Sequence, residues 1–534
     1  MSAGVFALAL AACGGGDGGG ETSGEPRSAI LRVNLGAEPP SLDPGRATDV
    51  TSANVLNALM DPLVKLGPNL EPTPAVAESW EVSEDGLTVT FHLRSDAKWT
   101  NGDPLTAEDF EYSWKRTVSP ELAADYAYQF YGIKGVQEFN GCEKNCDALR
   151  DKVGVTALDD ATLEVQLTSP QPWFLQQMAH TSFNAVHRAT VEEFGDKWTE
   201  PENIVTSGPF RLTAWEHDST MTLEKWEGWR DAASVQIDGV EGRMIPDATT
   251  AVQAFEAGEF DACIDVQTCV PTDEFERLAG TPELAINPGL GVQFIGVNVK
   301  NVPDVNQRRA LALAIDRTAL VENVTQAGEQ PATSFTPEGM PGFDQIQQDF
   351  IPATADLEQA KSYLEQAKNP VMSITLYANQ DAQAKNIQVA VQSDWEELGI
   401  ETSIKAQEWA QFLEFLGPPP NSAVDTFYVG WIGDYVDAIN FLQLSQCGSG
   451  LNFSGFCDEE VDRLLDEAVK SESDEERYGL YGEAEARLTG PDGAFPYIPL
   501  YWIVYPILHK TYVVGWKPNL LDQFDWTAVR IEGS

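Results

Sequence analysis

A β-strand, an amphipathic helix and a second β-strand follow one another between residues 371 and 406. The pattern predicts strands over 371–378 and 400–406, and Gly399 ends the helix between them. The apolar face of that helix consists of Ile387, Val391, Trp395 and Leu398. Such a unit crosses over with the right hand in almost every known case, so its two strands are parallel. We therefore predict an α/β sheet whose ligand would lie beyond the carboxyl ends of its strands.

A short β-like run at 426–429 leads into an aromatic stretch at 430–442. This stretch places one carboxylate, Asp434, close in sequence to Trp431 and Tyr435. A lone carboxylate is costly to bury beside aromatic surface, but a ligand that brings a positive charge makes the arrangement favourable. We interpret the stretch as a socket for the amino end of a ligand. The alternative is a surface aspartate in a loop that follows a core strand.

The chain is strongly acidic and long. Its 534 residues suggest roughly three domain-sized units. It carries 83 acidic and 34 basic residues, a net charge of −49, so it should repel nucleic acid and anionic lipid. The acids could steer a cationic ligand or form a solvated surface. Because they are spread along the whole length, we favour the solvated surface. Beyond residue 288, the apolar spacing predicts one long amphipathic helix over 308–324.

An apolar run at residues 5–12 precedes Cys13 and a glycine-rich segment at 14–20. The run is far too short to span a membrane. Residues 10–13, Leu-Ala-Ala-Cys, match the bacterial lipobox, in which the cysteine is acylated and becomes the new N-terminus. The flexible glycine-rich tether favours an anchor on Cys13 over an ordinary signal peptide with an incidental cysteine.

Six further cysteines fall into sequence-local pairs, and an even number in an exported chain indicates disulfides. The candidates are Cys142, Cys146, Cys263, Cys269, Cys447 and Cys457. Fifteen pairings are formally possible, and sequence reasoning alone leaves the pairing open. A zinc site is the weaker interpretation, since none of the five histidines sits at metal-ligand spacing from these cysteines and no CxxC occurs. We predict neither a metal nor a cofactor.

Motifs for nucleophilic, zinc-hydrolytic or nucleotide chemistry are absent: the chain contains no GxSxG, HExxH, P-loop or GxGxxG. Carboxylates are so numerous that any proposed acid and base pair would be arbitrary. The sequence therefore favours a binding protein over a secreted hydrolase, which remains the least favoured alternative.

Several blocks, taken together, resemble the family 5 extracellular solute-binding proteins, which serve ATP-driven importers of bacteria. The blocks keep their order and approximate spacing from about residue 30 to the C-terminus: 41–44, 76–80, 90–94, 98–99, 113–114, 195–199, 203–206, 308–311 and 315–317. The blocks at 195–199 and 203–206 narrow the resemblance to the oligopeptide-binding members of the family.

The resemblance implies a two-lobed periplasmic-binding-protein-like α/β fold of the large cluster C type, with an extra domain inserted in the first lobe. Residues 1–27 would be the lipoprotein signal and tether, and 73–202 the inserted domain. The core domain of the first lobe would combine 28–72, 203–286 and 503–534. The second lobe would comprise 287–502.

The resemblance also implies how a ligand is held. The family binds extended peptides through backbone pairing. Asp434 would bind the peptide ammonium, and Trp409 and Trp431 would line side-chain pockets. Tyr126 and Phe294 fall at ligand-facing aromatic positions. We also include Tyr428 and Gly430, which lead into the aromatic stretch, among the candidate ligand-binding residues.

The chain departs from the family pattern at two places. Leu416 and Tyr428 stand where well-known oligopeptide binders carry arginines that meet the peptide carboxylate. Gly291 and Ile432 replace a bridging cysteine pair. The expected protein is a monomeric lipoprotein at the outer face of the cytoplasmic membrane that delivers oligopeptides to a membrane permease. An oligosaccharide or a metal chelate remains an alternative ligand on the same fold.

Overall fold

The computed structural model describes residues 29–533 except 68–69, 265–268, 272–273, 348–350, 381, 408, 417–420, 450 and 472. The side chains of 382–383, 409–410 and 413–414 also lie outside the described part.

The strands, in chain order, are β1 (Ile30–Asn34), β2 (Val64–Leu66), β3 (Pro72–Pro74), β4 (Ala77–Val82), β5 (Thr88–Leu93), β6 (Val155–Asp159), β7 (Thr162–Gln166), β8 (Phe210–Glu216), β9 (Thr220–Lys225), β10 (Gly239–Arg243), β11 (Ala262–Cys263), β12 (Leu284–Val297), β13 (Gln330–Pro331), β14 (Ser373–Asn379), β15 (Glu401–Gln407), β16 (Thr426–Ile432), β17 (Tyr497–Leu508), β18 (Val513–Val514) and β19 (Arg530–Ile531).

The α-helices, in chain order, are α1 (Val50–Leu59), α2 (Ala107–Thr117), α3 (Val136–Asn140), α4 (Asp147–Arg150), α5 (Phe174–Gln177), α6 (Arg188–Phe194), α7 (Ala248–Glu256), α8 (Phe275–Leu278), α9 (Val305–Ala314), α10 (Arg317–Leu320), α11 (Phe343–Ile346), α12 (Leu357–Gln366), α13 (Ala382–Glu396), α14 (Trp409–Leu416), α15 (Ile439–Leu442), α16 (Glu459–Val469) and α17 (Asp474–Thr489). None of these described helices is long and apolar enough to cross a membrane.

Three main sheets organise the chain. A five-stranded sheet has the order β11-β1-β10-β9-β8, and a four-stranded sheet has the order β4-β5-β7-β6. We assign these two sheets and the helices around them to the first lobe. A six-stranded sheet has the order β13-β17-β12-β16-β14-β15, and we assign it to the second lobe. The fold is thus the two-lobed α/β architecture that the resemblance implied.

The strand–helix–strand unit has the structure that its sequence predicted. Strands β14 and β15 pair in parallel over their full length, from Ser373 opposite Glu401 to Asn379 opposite Gln407. Helix α13 connects them, and its residues Ile387, Val391 and Trp395 are buried. Burying that apolar face against the sheet is the main driving force for this arrangement.

The predicted single helix over 308–324 is wrong. Helix α9 ends at Ala314, and Asp316 starts helix α10 by accepting a hydrogen bond from the backbone N–H of Ala319 at 2.8 Å. A π-helical turn, Val321–Thr325, follows. The break buries Arg317 completely, and its Nε donates to the carbonyl oxygen of Pro499 at 2.7 Å. Apolar spacing continues through the break, so periodicity alone does not reveal it.

Strands β12 and β17 are the longest in the described chain and pair antiparallel from Leu284 opposite Leu508 to Gly296 opposite Tyr497. The expected lobe boundaries at 286/287 and 502/503 fall inside these two strands. Each strand would therefore pass from one lobe into the other. The domain boundaries remain a proposal.

Glu485 of helix α17 binds the backbone of a buried loop at residues 335–336 and so connects this loop to the core of the second lobe. Its fully buried carboxylate accepts from the backbone N–H of Phe335 at 2.7 Å and of Thr336 at 3.2 Å, and from the Thr489 hydroxyl at 2.6 Å. Phe335 in turn packs on Phe294 of β12, with ring centroids 5.1 Å apart.

We expect Glu485→Ala to lower the free energy of unfolding by about 3 kcal/mol, because two buried backbone N–H groups would lose their acceptor. Urea unfolding monitored by tryptophan fluorescence measures this loss. Glu483→Ala, an exposed position on the same helix, is the matched control and should change stability little. Equal stability of the two variants would contradict the role assigned to Glu485.

Candidate functional site

Strand β16 has two edges, and only one of them is paired along its full length. On that edge, strand β12 pairs with β16 from Val297 opposite Thr426 to Gly291 opposite Ile432. On its other side, β14 pairs only with Thr426 and Phe427. Within the described chain, no strand therefore pairs with that edge over residues 429–432. Strand β16 also extends three residues further than the β-like run predicted from the sequence, and so includes the first residues of the aromatic stretch.

The open edge of β16 ends two residues before Asp434, whose carboxylate is held by uncharged donors. The Asn440 amide nitrogen donates to Asp434 Oδ2 at 3.4 Å, and the Tyr128 hydroxyl donates to the same oxygen at 3.4 Å. Asn440 is fully buried and also accepts, through Oδ1, from the backbone N–H of Asp434 at 3.2 Å and from Trp431 Nε1 at 2.8 Å. Asn440 thus fixes the orientation of both Trp431 and Asp434.

No Lys, Arg or His of the described chain lies within ion-pair distance of Asp434. Burial raises the pKa of Asp434 to about 6, and the hydrogen bonds from Asn440 and Tyr128 offset only part of that effect. At neutral pH the carboxylate is therefore ionised but poorly compensated. A cation placed beside it would relieve this cost.

The facing wall comes from the first lobe, in the 3₁₀ helix Asp125–Phe130. Tyr128 lies between Asp434 and Tyr126, with the two tyrosine rings 5.8 Å apart and perpendicular. Burial, together with the negative charge of Asp434, raises the pKa of Tyr126 to about 12. His180 packs against Tyr126 at 5.3 Å, and burial lowers the pKa of His180 to about 4. At neutral pH this wall therefore carries no positive charge near the carboxylate.

A second contact joins the two lobes beside the same carboxylate. The indole of Trp173 stacks on the ring of Tyr435, with centroids 5.5 Å apart and planes 12° from parallel. Together with the Tyr128–Asp434 hydrogen bond, it brings residues 128 and 173 into contact with residues 434 and 435. Aromatic surface beside the carboxylate reduces its hydration and strengthens any charge interaction there.

Of the seven candidate ligand-binding residues, the structure brings four to this region: Asp434, Trp431, Gly430 and Tyr126. A Cβ at Gly430 would lie 2.5 Å from the amide nitrogen of Gln293, so a larger residue there would require the flexible end of that side chain to move. The sequence reasoning missed Tyr128, Asn440 and Trp173. Tyr128 lies two residues after Tyr126 and Asn440 six residues after Asp434, but nothing in the sequence distinguishes them from ordinary core residues.

Two further candidates, Phe294 and Tyr428, lie elsewhere. Phe294 is 3% exposed and packs on Phe335 and Tyr497 in the core of the second lobe. Tyr428 is buried on the opposite face of the sheet, where its hydroxyl is 2.9 Å from that of Tyr501. Trp409 is the first residue of helix α14, but its side chain lies outside the described part of the chain. Cys13 also lies outside the described residues.

The structure joins the six cysteines into three disulfides, each between sequence neighbours: Cys142 with Cys146, Cys263 with Cys269, and Cys447 with Cys457. The last of these closes a loop that follows helix α15. Among the described residues there is no group of three or more His, Cys, Asp or Glu side chains that could hold a metal ion.

Comparison with known proteins identifies the family. Residues 71–453 match the family model described as bacterial extracellular solute-binding proteins, family 5. The dipeptide-binding protein DppE of Bacillus subtilis is 36% identical, over 93% of this chain and 90% of its own. The oligopeptide-binding protein OppA of the same organism is 33% identical, over 90% of each chain. The crystal structure of Haemophilus influenzae OppA in complex with the peptide RPPGFSPFR superposes with a TM-score of 0.75 at 28% identity, covering 95% of this chain and 99% of that one. The chain belongs to the family 5 bacterial extracellular solute-binding proteins.

Proposed function

We propose that this protein is the substrate-binding lipoprotein of an ABC importer, and that it binds oligopeptides in the cleft between its lobes and delivers them to a membrane permease. The observation that carries the proposal is the open edge of β16 over residues 429–432, which ends beside the uncompensated carboxylate of Asp434. Relatives named as dipeptide-binding and oligopeptide-binding proteins support the same ligand class.

An extended peptide satisfies both features at once. Its backbone can add a strand to the open edge of β16 through main-chain hydrogen bonds, which do not depend on the peptide's sequence. Its terminal ammonium then reaches the Asp434 carboxylate and supplies the missing positive charge. Trp431, fixed by Asn440, would form the floor of a side-chain pocket. Trp409 and Tyr126 would contribute further aromatic surface.

The binding cycle needs no chemical step. A peptide that contacts both walls favours the closed arrangement, in which Tyr128 and Trp173 of the first lobe meet Asp434 and Tyr435 of the second. Members of this family are solute-binding proteins, and we assign no catalytic residue. The partners would be the peptide and the permease, and the protein would act as a monomer without nucleic acid.

The remaining assignments follow the sequence. Cys13 would carry the lipid, and the glycine-rich segment after it would tether the two lobes to the outer face of the cytoplasmic membrane. The first lobe would consist of 28–72, 203–286 and 503–534 with the insertion 73–202, and the second lobe of 287–502. Both boundaries between the lobes lie in β12 and β17, so closure would bend these two strands.

Native mass spectrometry of the mature protein purified from its host tests the ligand class. Co-purified peptides of mixed sequence and narrow length distribution are expected after denaturation. A bound sugar or metal chelate would assign the cleft to another solute and Asp434 to a structural role. Turnover of a bound peptide by clean protein would instead favour a hydrolase.

We expect Asp434→Asn to weaken the binding of free-amine peptides by about two orders of magnitude, because the ammonium would be left without a counter-charge in a shielded site. Isothermal titration calorimetry with a peptide pool measures the loss. Asp344→Asn, an exposed acid of the same lobe, is the control and should bind normally. N-terminal acetylation of the peptides should abolish binding to the wild type. Equal affinity of acetylated and free peptides would exclude the proposed socket.

Peptide affinity should also depend on pH. The pKa of Asp434 is raised to about 6, so its carboxylate becomes protonated and loses its attraction for the ammonium as the pH falls below 6. Above about pH 8, the peptide amine itself loses its proton. Affinity is therefore expected to be greatest between these values. The loss of affinity below pH 6 should be absent in Asp434→Asn. If the variant still loses affinity there, the protonation of another group causes the loss.

We expect Cys13→Ala to release the protein from the membrane fraction of its host, because the acylated residue would be missing. Immunoblots of membrane and soluble fractions measure this change. Peptide affinity should stay at the wild-type value, since Cys13 is not among the candidate ligand-binding residues. A variant that still fractionates with membranes would exclude Cys13 as the anchor.

A further inference from the structure

A buried ion pair lies close behind the socket around Asp434. Asp437 follows Asp434 by three residues, and its side chain is only 3% exposed. Its Oδ2 lies 3.5 Å from Nε of Arg477 in helix α17, whose side chain is 12% exposed. Arg477 also pairs with the exposed Asp474 at 3.0 Å. Because apolar residues of similar volume are often as stabilising as a buried ion pair, such a pair is better explained by the geometry it imposes.

The two carboxylate oxygens of Asp437 have different partners. While Oδ2 faces Arg477, Oδ1 accepts from the backbone N–H of Ile439 at 3.1 Å. The main-chain carbonyl of Asp437 accepts from the backbone N–H of Asn440 at 3.0 Å. These two bonds define the first turn of helix α15. A carboxylate offers an acceptor in both directions, whereas an amide of the same shape offers only one. Asp437 therefore connects the start of α15 to helix α17.

Helix α15 contributes Asn440 to the socket. Asn440 is fully buried, and its Oδ1 accepts from Trp431 Nε1 at 2.8 Å and from the backbone N–H of Asp434 at 3.2 Å. Its amide donates to Oδ2 of Asp434 at 3.4 Å. A continuous series of contacts thus runs from Arg477 through Asp437 and the first turn of α15 to Asp434. A shift of that turn would move Asn440 away from both Trp431 and Asp434.

The charge of Asp437 depends on the groups around it. Burial raises the pKa of Asp437, and the charge of Arg477, the hydroxyl of Tyr481 and the N–H of Ile439 offset part of this effect. Asp474 acts in the opposite direction from Arg477, because it has the same charge as Asp437. Arg477 is thus the cation that favours the ionised form of Asp437, the form that has an acceptor for both of its partners.

The position of Asn440 affects the charge of Asp434 as well as its orientation. Burial raises the pKa of Asp434 to about 6, and the hydrogen bond from Asn440 acts against this rise. Burial also raises the pKa values of the neighbouring Tyr126, Tyr128 and Tyr435, so these side chains stay neutral. Loss of the Asn440 donor would raise the pKa of Asp434 further, and a protonated Asp434 offers no charge to an ammonium.

We propose that Asp437, held by Arg477, is a positioning residue of the socket: it fixes Asn440, and Asn440 in turn orients Asp434 and favours its ionised form. This inference rests on the proposed peptide-binding function. It adds to that function a pair of charged residues that would act through Asn440 and would not touch the ligand.

Calorimetric titration with a pool of free-amine peptides, repeated between about pH 4.5 and 8, tests the proposal. The wild type should lose affinity with a midpoint near pH 6. Asp437→Asn should raise this midpoint by about one pH unit and weaken binding at neutral pH about tenfold. Glu475→Gln, an exposed acid on the same helix as Arg477, is the control and should keep the wild-type midpoint.

A double-mutant cycle identifies the route through which Asp437 acts. Asn440→Ala should shift the midpoint in the same direction, because it removes the donor to Asp434. The combination of Asp437→Asn with Asn440→Ala should be no worse than Asn440→Ala alone. Full additivity of the two changes would show that Asp437 does not act through Asn440 and would overturn the proposal.

Two substitutions of Arg477 test the pair from its more exposed side. Arg477→Met should raise the midpoint, since Asp437 would lose its counter-charge, and Arg477→Lys should keep the wild-type value because it retains that charge. These variants also provide the test if Asp437→Asn does not fold. A merely structural role would lower the folded fraction in urea unfolding but leave the midpoint of the folded protein unchanged.

The outcomes separate this inference from the proposed function. If the wild type binds peptides but Asp437→Asn and Arg477→Met keep its midpoint, the pair has no positioning role and the proposed function stands. If the wild type binds no free-amine peptide at any pH, the proposed function fails and this inference fails with it.

Discussion

The carboxylate of Asp434 has to remain ionised beside aromatic surface without a cationic side chain to balance it. Two uncharged hydrogen-bond donors stabilise the ionised form. The amide of Asn440 and the hydroxyl of Tyr128 each donate to Oδ2 of Asp434 at 3.4 Å. Such neutral donors stabilise the charge only in part, and the raised pKa of Asp434 shows the remaining cost. A cation placed beside Asp434 would remove this remaining cost.

The second feature of the candidate site is the edge of β16 that stays unpaired next to the carboxylate of Asp434. An unpaired edge normally invites aggregation, and proteins cover or shorten such edges. Here the edge arises because β14 pairs with only the first two residues of β16 and then continues with β15 alone. Three residues beyond the end of this strand, Tyr435 stacks on Trp173. Strand β16 therefore keeps main-chain groups that no described strand pairs with next to Asp434.

Much of the fold could be predicted from local pattern. The strand–helix–strand unit at 371–406 is confirmed, because burying one helical face against a parallel pair is a local and strongly driven event. The helix predicted over 308–324 was wrong, since Asp316 caps a new helix and Arg317 turns into the core to bind the Pro499 carbonyl. The hydrogen bond of Arg317 depends on a strand about 180 residues away. The periodicity of the sequence therefore gives no indication of the helix break.

The sequence by itself determined the family, the α/β class and the aromatic stretch around Asp434, because these depend on residue types at short spacing. Tertiary structure decided which side chains share the site. It brought Tyr128 and Trp173 across from the first lobe and buried Phe294 and Tyr428 in the second. Strand order and the side-chain face are set by pairing between distant segments, which the linear order of residues does not specify.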